Sequence, residues 1–375
     1  MKLDMGLDVS TRVEFGRGEL DRTGVHAAGS GEHALVVTGR TAARANGYLD
    51  RVVTSLGEAG LRVTVFDGVS ANPASHEVDE AATLARSRGC DLVVGLGGGS
   101  ALDAAKGVAV AVPYGSTIRD LIGGTLAPDA PALPLVAVPT TAGSGSEVTR
   151  GAIITDTVRM FRAGVRGAAV TPRVAVVDPD LIASVPRGVM ADTVFDSFAH
   201  AVEGCVAARA DGASRGRAHL AIELIAAHLP GALDGDVSPE AREALCKAAL
   251  LGGSNVAHVS TCLPHRLQQA MGAVPGLDIS HGRGLALLYP SWLRHTEPLV
   301  PDAFAAVAEL LGGPTVHDAV GRLLTSAGLN GRLRDHGVTR GDLDRFVASV
   351  TGNLDNDPAG QADQEYLRTL YAESY

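Results

Sequence analysis

The sequence predicts an α/β N-terminal half built on a parallel sheet, residues 1–185, followed by an all-helical C-terminal half, residues 186–375. Three observations predict this. Short continuous apolar runs alternate with helix-period segments through the first half, and two glycine-rich turns each follow such a run. Beyond Pro186 the chain changes to long segments rich in Ala and Leu at helical spacing, with few plausible strands. A length of 375 residues accommodates two domains, and 46% hydrophobic content supplies a core for each.

Strands are expected at Ala34-Leu35-Val36-Val37-Thr38, Arg62-Val63-Thr64-Val65-Phe66, Leu92-Val93-Val94-Gly95-Leu96, Leu135-Val136-Ala137-Val138 and Val174-Ala175-Val176-Val177. Between them, Leu49, Val52, Val53 and Leu56 recur at helical spacing, as do Val78, Ala81, Ala82 and Ala85, and an Ala-rich helix follows Gly99. Continuous apolar strands joined by helices are the pattern of a parallel sheet covered on both faces. In the second half, Ala218–Leu229 and Phe304–Leu311 read as helices, and the Gly/Asp/Pro-rich piece 352–360 reads as a surface loop before a last helix.

Composition excludes several function classes. A formal charge of −10 offers no basic field for a phosphate backbone, so nucleic acid is not an expected partner. No stretch approaches the ~20 apolar residues of a membrane span, and Met1–Gly6 lacks the apolar segment of a secretion signal. Cys90, Cys205, Cys246 and Cys262 form no CxxC pair and read as free thiols in a reducing, cytoplasmic setting.

The glycines cluster at two strand ends. Gly97-Gly98-Gly99-Ser100 passes directly into a helix, where bare backbone N–H groups at a helix N-terminus suit a pyrophosphate. Pro139-Thr140-Thr141-Ala142-Gly143-Ser144 places hydroxyls and glycine beyond the next strand, suited to phosphate and ribose. Either alone reads equally as a tight turn. Both together in one α/β domain point to a dinucleotide in a Rossmann-like arrangement. After the 34–38 strand stands Gly39-Arg40, where an acidic residue would bind the adenosine ribose; its absence beside an arginine favours NADP over NAD.

In the helical half, Asp196 and His200 are four apart and share a helix face. This spacing also occurs in plain hydrogen-bonded pairs. His265 and His281, each at or before a helix start, extend it to one carboxylate and three imidazoles, a donor set suited to Fe(II) or Zn(II) with a position open to substrate oxygen. His219, His228 and His295 read as surface or core-edge residues.

With these residues assembled the chain resembles the iron-containing, group III alcohol dehydrogenases over nearly its whole length. The likeness is carried by Phe15-Gly16-Arg17-Gly18, Phe66-Asp67-Gly68-Val69 with Asn72-Pro73, GGGSALDAAKG at 97–107, PTTAGSGSEVT at 139–149, Asp178-Pro179-Asp180-Leu181, FDSFAHAVE at 195–203 and SHGRGLALLYP at 280–290. The resemblance implies a dehydroquinate synthase-like two-domain architecture and metal ligation by Asp196, His200, His265 and His281. It implies a cofactor held by Gly39, Arg40, Gly97, Gly98, Gly99, Ser100, Thr140, Thr141 and Ser144, with Asp103 near the nicotinamide. Gly39 stands where NAD-preferring relatives carry Asp.

Three departures bear on catalysis. Many members carry a second histidine four residues after the one matched by His265, and here that position is Gln269. The stretch from His265 to His281 is longer than usual, with Val274-Pro275-Gly276-Leu277-Asp278 looping between helices. Arg162 stands where relatives often carry Lys. Asp103, Arg162 and Gln269 are thus the candidate catalytic residues, and Phe161, Phe198 and Leu277 join them as candidate pocket residues. The expected activity is reversible hydride transfer between NAD(P)H and an aldehyde or primary alcohol, in a homodimer, with aldehyde reduction favoured in the cell. Two readings compete: a metal- and NAD-dependent cyclase or lyase like dehydroquinate synthase, and a non-catalytic homologue, which the loss of a histidine at Gln269 would accommodate.

Overall fold

The computed structural model describes residues 6–235, 237–274, 276–277, 279–360 and 362–375. Met1–Met5, Pro275 and Asp278, on which parts of the sequence reading fall, lie outside the described residues. The chain separates into two compact units. One is built from Val9–Thr141 and Gly145–Val185; the other contains Ala142–Ser144, Pro186–Tyr375 and a short N-terminal piece that includes residues 6–8.

The first unit carries strands β1 (Arg12–Phe15), β2 (His33–Gly39), β3 (Arg62–Val69), β4 (Leu92–Gly97), β5 (Leu135–Pro139), β6 (Gly151–Asp156), β7 (Phe161–Arg166) and β8 (Val174–Val177). Its helices are α1 (Thr23–Ala27), α2 (Ala42–Ala45), α3 (Tyr48–Glu58), α4 (Ser75–Arg88) and α5 (Gly99–Tyr114). Six strands form a wholly parallel sheet in the order β1-β8-β5-β4-β2-β3, and β6 and β7 form a separate antiparallel hairpin. The expected parallel sheet with helical crossovers is therefore present. Strand β2 shows why its apolar run is continuous. Leu35 and Val37 pack with Val78, Ala81 and Ala85 of α4 and Ala105 and Val108 of α5, whereas Ala34 and Val36 pack with Leu49, Val52 and Leu56 of α3. With helices on both faces, each central position is buried.

The sequence reading assigned no element to β1, β6 or β7. Alternate positions of β6 are buried, β7 buries only Ala163–Val165 between partly exposed ends, and neither has the continuous apolar run that marks a doubly covered strand.

The second unit, among its described residues, contains helices and no strand: α6 (Arg187–Val206), α7 (Gly212–Leu233), α8 (Pro239–Val259), α9 (Leu263–Ala270), α10 (His281–Thr296), α11 (Pro301–Leu310), α12 (Val316–Ala327), α13 (Arg340–Ser349) and α14 (Gln364–Ser374). None of the described helices is long and apolar enough to cross a membrane. All four cysteines are buried and free.

Helix α6 organises the unit, and α10 reaches it because residue 282 is glycine. A Cβ at Gly282 would lie 1.7 Å from the carbonyl oxygen of Asp192, so any side chain would force the two helices apart. The approach is fastened at the same level. Ser280 caps α10 by accepting the Arg283 N–H at 3.3 Å and donates its hydroxyl to Asp192 Oδ2 at 2.5 Å, while Arg283 Nη2 stands 3.2 Å from Asp192 Oδ1.

The segment 352–360 corrects an expectation. Gly352 and Asp355 are exposed as expected of a surface loop, but Asn356 and Asp357 are each only 1% exposed. Asp357 Oδ2 accepts the Leu263 N–H and Trp292 Nε1–H, both at 2.9 Å, and Asn356 Nδ2 donates to Val259 O at 2.8 Å and Thr261 O at 3.1 Å. These polar side chains are buried because they satisfy the backbone groups between α8 and α9, which no intrahelical bond reaches.

Gly282→Ala is expected to destabilise the protein by about 3 kcal/mol, at the upper end of overpacking. Gly216→Ala, on α7 with nothing within 4 Å of a new Cβ, is expected to be neutral or stabilising by up to ~1 kcal/mol. Denaturant midpoints of the two variants check the contrast.

Candidate metal centre and cofactor turns

In the first unit three strand ends stand side by side. Thr38 of β2 is in register with Leu96 of β4, and Gly97 of β4 with Pro139 of β5. Their C-terminal turns therefore bring Gly39-Arg40, Gly97–Ser100 and Thr140–Thr141 to one edge of the sheet. The Thr140 N–H donates to Gly97 O at 3.0 Å, and a Cβ on Gly98 would come within 3.2 Å of Thr141 Oγ1. Gly98 is also the cap residue of α5, so no side chain closes the N-terminal N–H groups of that 16-residue helix. A bare, glycine-lined helix start beside hydroxyls fits a pyrophosphate. Ser100 Oγ accepts the Asn72 N–H at 3.2 Å.

At the β2 end, a Cβ on Gly39 would meet only Val69 O, at 3.7 Å. Arg40 is oriented by two bonds, Nε–H to Gly68 O at 3.1 Å and Nη2–H to Glu77 Oε1 at 3.0 Å, and its side chain remains 63% exposed.

Asp103, one turn into α5, has both carboxylate oxygens engaged. Oδ1 accepts the Ser146 hydroxyl at 2.6 Å and Oδ2 the Ile153 N–H at 2.8 Å. Burial raises its pKa, against Lys106, Ser146, the Ile153 N–H and Arg162 of β7. Lys106, one turn further, is buried and donates to Thr149 O, Thr149 Oγ1 and Gly151 O at 3.1, 2.9 and 2.8 Å. Burial pulls its pKa down to about 8, opposed by Asp103 and Glu147, and burial pushes Glu147 up to about 7. Asp103 and Lys106 thus clasp the segment 146–153 to the helix whose start carries the glycine turn.

In the second unit, Asp196 and His200 of α6, His265 of α9 and His281 at the start of α10 converge. Asp196 Oδ1 stands 3.3 Å from Nε2 of His265, 3.3 Å from Nε2 of His281 and 3.5 Å from Nε2 of His200. One ligand atom each from Asp196, His265 and His281 lies within 4.8 Å of the others, and the His200 ring stacks on His265 with centroids 4.6 Å apart. Burial would protonate Asp196, but His200, His281 and His265 hold its carboxyl well below the usual range. Burial pushes His200 down to about 3 against the pull of Asp196. For His265 burial also opposes the charge, yet Glu203 and Asp196 outweigh it and raise the pKa to about 9. A buried carboxylate ringed by imidazoles whose Nε2 atoms face one point fits a divalent cation.

Two residues that the sequence reading missed hold the rings. His265 Nδ1 bonds both oxygens of Glu203 at 2.8 Å, and His281 Nδ1 bonds Gln268 Oε1. Glu203 was findable: with Asp196 and His200 it completes an i, i+4, i+7 stripe on α6. Gln269, next to Gln268, is half-buried and its Oε1 accepts from Arg266 Nη1 at 3.3 Å. Phe198, expected in a pocket, is a core residue instead, fully buried with its ring 5.6 Å from Phe195 and 6.3 Å from Tyr289.

Comparison with known proteins places the chain in a family. Residues 10–179 match the family model of iron-containing alcohol dehydrogenase, and residues 190–375 match that of the Fe-containing alcohol dehydrogenase family, C-terminal. The chain belongs to the iron-containing alcohol dehydrogenase family. This alcohol dehydrogenase is 33% identical over 350 residues to 1,3-propanediol dehydrogenase of Klebsiella pneumoniae, covering 89% of each chain. It is 29% identical over 356 residues to lactaldehyde reductase of Escherichia coli K12, covering 91% of each. An archaeal halo-thermophilic alcohol dehydrogenase from a Red Sea brine pool superposes on it with a TM-score of 0.92 over 100% of both chains, at 26% identity. The enzyme is an oxidoreductase acting on alcohols and aldehydes, and the cyclase reading is not favoured.

Lys106→Met is expected to remove the buried donor that Thr149 O, Thr149 Oγ1 and Gly151 O share and to destabilise the enzyme by about 3 kcal/mol. A denaturant titration checks it, with Lys247→Met on α8, whose side chain is 28% exposed, as the mild comparison.

Proposed function

We propose that the enzyme transfers a hydride between a nicotinamide cofactor, NADP in preference to NAD, and a small aldehyde or primary alcohol, using Fe(II) or Zn(II). The observation that carries this reading is the convergence of three imidazole Nε2 atoms on one buried oxygen of Asp196. Asp196, His200, His265 and His281 would hold the metal, which when bound supplies Lewis acidity toward a substrate carbonyl or alcohol oxygen.

The chain's own residues do the remainder. Glu203 and Gln268 keep protons at Nδ1 of His265 and His281, so that each Nε2 presents a lone pair. The burial of Asp196, His200 and His265 excludes water from their charged and coordinating atoms. The N–H groups at the Gly98–Ser100 helix start would bind the pyrophosphate, with Thr140, Thr141 and Ser144 contributing hydroxyls. Asp103 would orient the hydroxyl-rich turn through Ser146, with Arg162 nearby on β7. Gln269 takes the place of a titrating histidine and would act in the pocket as a neutral hydrogen-bonding group. NADP preference is supported by the side-chain-free position at Gly39 and the exposed, oriented guanidinium of Arg40. The division at 185/186 belongs to this reading, as do a homodimer and a cytoplasmic location, the last supported by four buried free thiols. With NADPH the favoured direction is aldehyde reduction.

His200→Ala is expected to lose bound metal and turnover together, turnover by roughly 100-fold or more. Metal analysis alongside an aldehyde assay checks it, and full turnover without the imidazole would sink the reading. Gly39→Asp is expected to raise the KM for NADPH by about tenfold while sparing that for NADH. Initial rates with both cofactors decide, and an unchanged ratio would remove the NADP assignment.

A further inference from the structure

Building on the reading of Asp196, His200, His265 and His281 as metal ligands, we propose that Glu203 is a positioning residue for that centre. Its carboxylate fixes the tautomer and plane of His265 and supplies the second negative charge that a divalent cation needs in a buried site.

Glu203 is wholly buried on α6, two turns beyond Asp196. Both its oxygens lie 2.8 Å from His265 Nδ1, and Oε2 also accepts the Cys262 N–H at 2.6 Å. Cys262 is the cap residue of α9, so one carboxylate fastens both the start of that helix and the ring it carries. A carboxylate can only accept from these donors, which makes Nδ1 a protonated nitrogen of His265 and leaves Nε2, beside Asp196 Oδ1, as the nitrogen that would give up its proton to a metal. The other rings are backed differently. His281 Nδ1 meets the neutral amide of Gln268, and among the described residues His200 Nδ1 meets no carboxylate. Among the described contacts of the three imidazoles, His265 is the one whose Nδ1 meets a carboxylate.

The charges around the site point the same way. Three neutral imidazoles and Asp196 would balance half of a divalent ion, and at a site where three of the four side chains are buried the remaining charge would be costly. Glu203 balances it from behind His265 without occupying a coordination position, so that a position stays open to substrate.

The test uses the full-length chain stripped of metal, with Zn²⁺ as the probe and a chromophoric chelator in competition. Wild type is expected to bind one ion per chain and His265→Ala to bind none. Failure of either overturns the metal reading and this proposal with it. Given both, Glu203→Gln, which keeps the shape and one acceptor oxygen, is expected to weaken Zn²⁺ binding by about 10- to 100-fold at a temperature where the metal-free variant is folded. An affinity within about twofold of wild type, or a lowered melting temperature with unchanged affinity, overturns the proposal alone. Should Glu203→Gln not fold, the Zn²⁺-loaded wild type decides by ¹⁵N-histidine NMR. A proton on Nδ1 of His265 is expected, and an unprotonated Nδ1 overturns the assignment.

Discussion

A carboxylate enclosed in a helical core is the constraint around which the second unit is arranged. Asp196 is 4% exposed, and an ionised group removed from water costs several kcal/mol unless partners replace its hydration. Here the partners come from three helices, so α9 and α10 must both reach α6 at one level. Gly282 permits the approach of α10, and Ser280, Asp192 and Arg283 fasten it. The start of α9 is pinned twice, by Glu203 to Cys262 N–H and by Asp357 to Leu263 N–H. Residues as distant in sequence as 192, 262 and 357 thus serve the position of one oxygen atom.

The first unit solves a different problem. A parallel sheet has no charged centre to organise it, but its adjacent C-terminal strand ends open at one edge, and whatever binds there is set by the turns. Helix α5 links two of those turns. Its first residues are the glycine turn, and Asp103 and Lys106 on successive positions of one face grip Ser146, Thr149, Gly151 and Ile153. The hydroxyl-rich turn after β5 is consequently fixed with respect to the glycine turn after β4 by a single rigid element. Such preorganisation lowers the ordering cost of binding a long, flexible ligand.

Elements that are apolar for a two-sided reason were legible from sequence. The runs that became β2, β4, β5 and β8 are buried on both faces, and a four-residue spacing on α6 marked Asp196 and His200 as sharing one face. What sequence could not supply was the partner of each polar side chain. Asp103 reads as a catalytic carboxylate, yet its two partners lie 43 and 50 residues away, a pairing no local pattern encodes. Asn356 and Asp357 sit in a stretch whose Gly, Asp and Pro content suggests solvent, and they are buried because they answer backbone groups elsewhere. Gln268 and Gln269 differ by one residue, which on a helix is about 100° of rotation. That rotation sends one to His281 and the other to Arg266.

The glycines separate along the same line. At Gly282 the neighbouring backbone forbids a Cβ, so packing explains the residue completely. At Gly39 it does not, since a Cβ would make only an ordinary contact with Val69 O and the backbone there is not left-handed. Glycine at 39 is therefore not demanded by the fold, and its effect is to leave a space at the end of β2. Beside that space Arg40 is held by Glu77, whose other oxygen is itself fixed by Ser70 and the Ala74 N–H. A carboxylate at 39 would add a second acid next to this arginine and repel a phosphate. The empty position and the oriented cation act in the same sense, which is why the proposed NADP preference rests on the pair rather than on either residue alone.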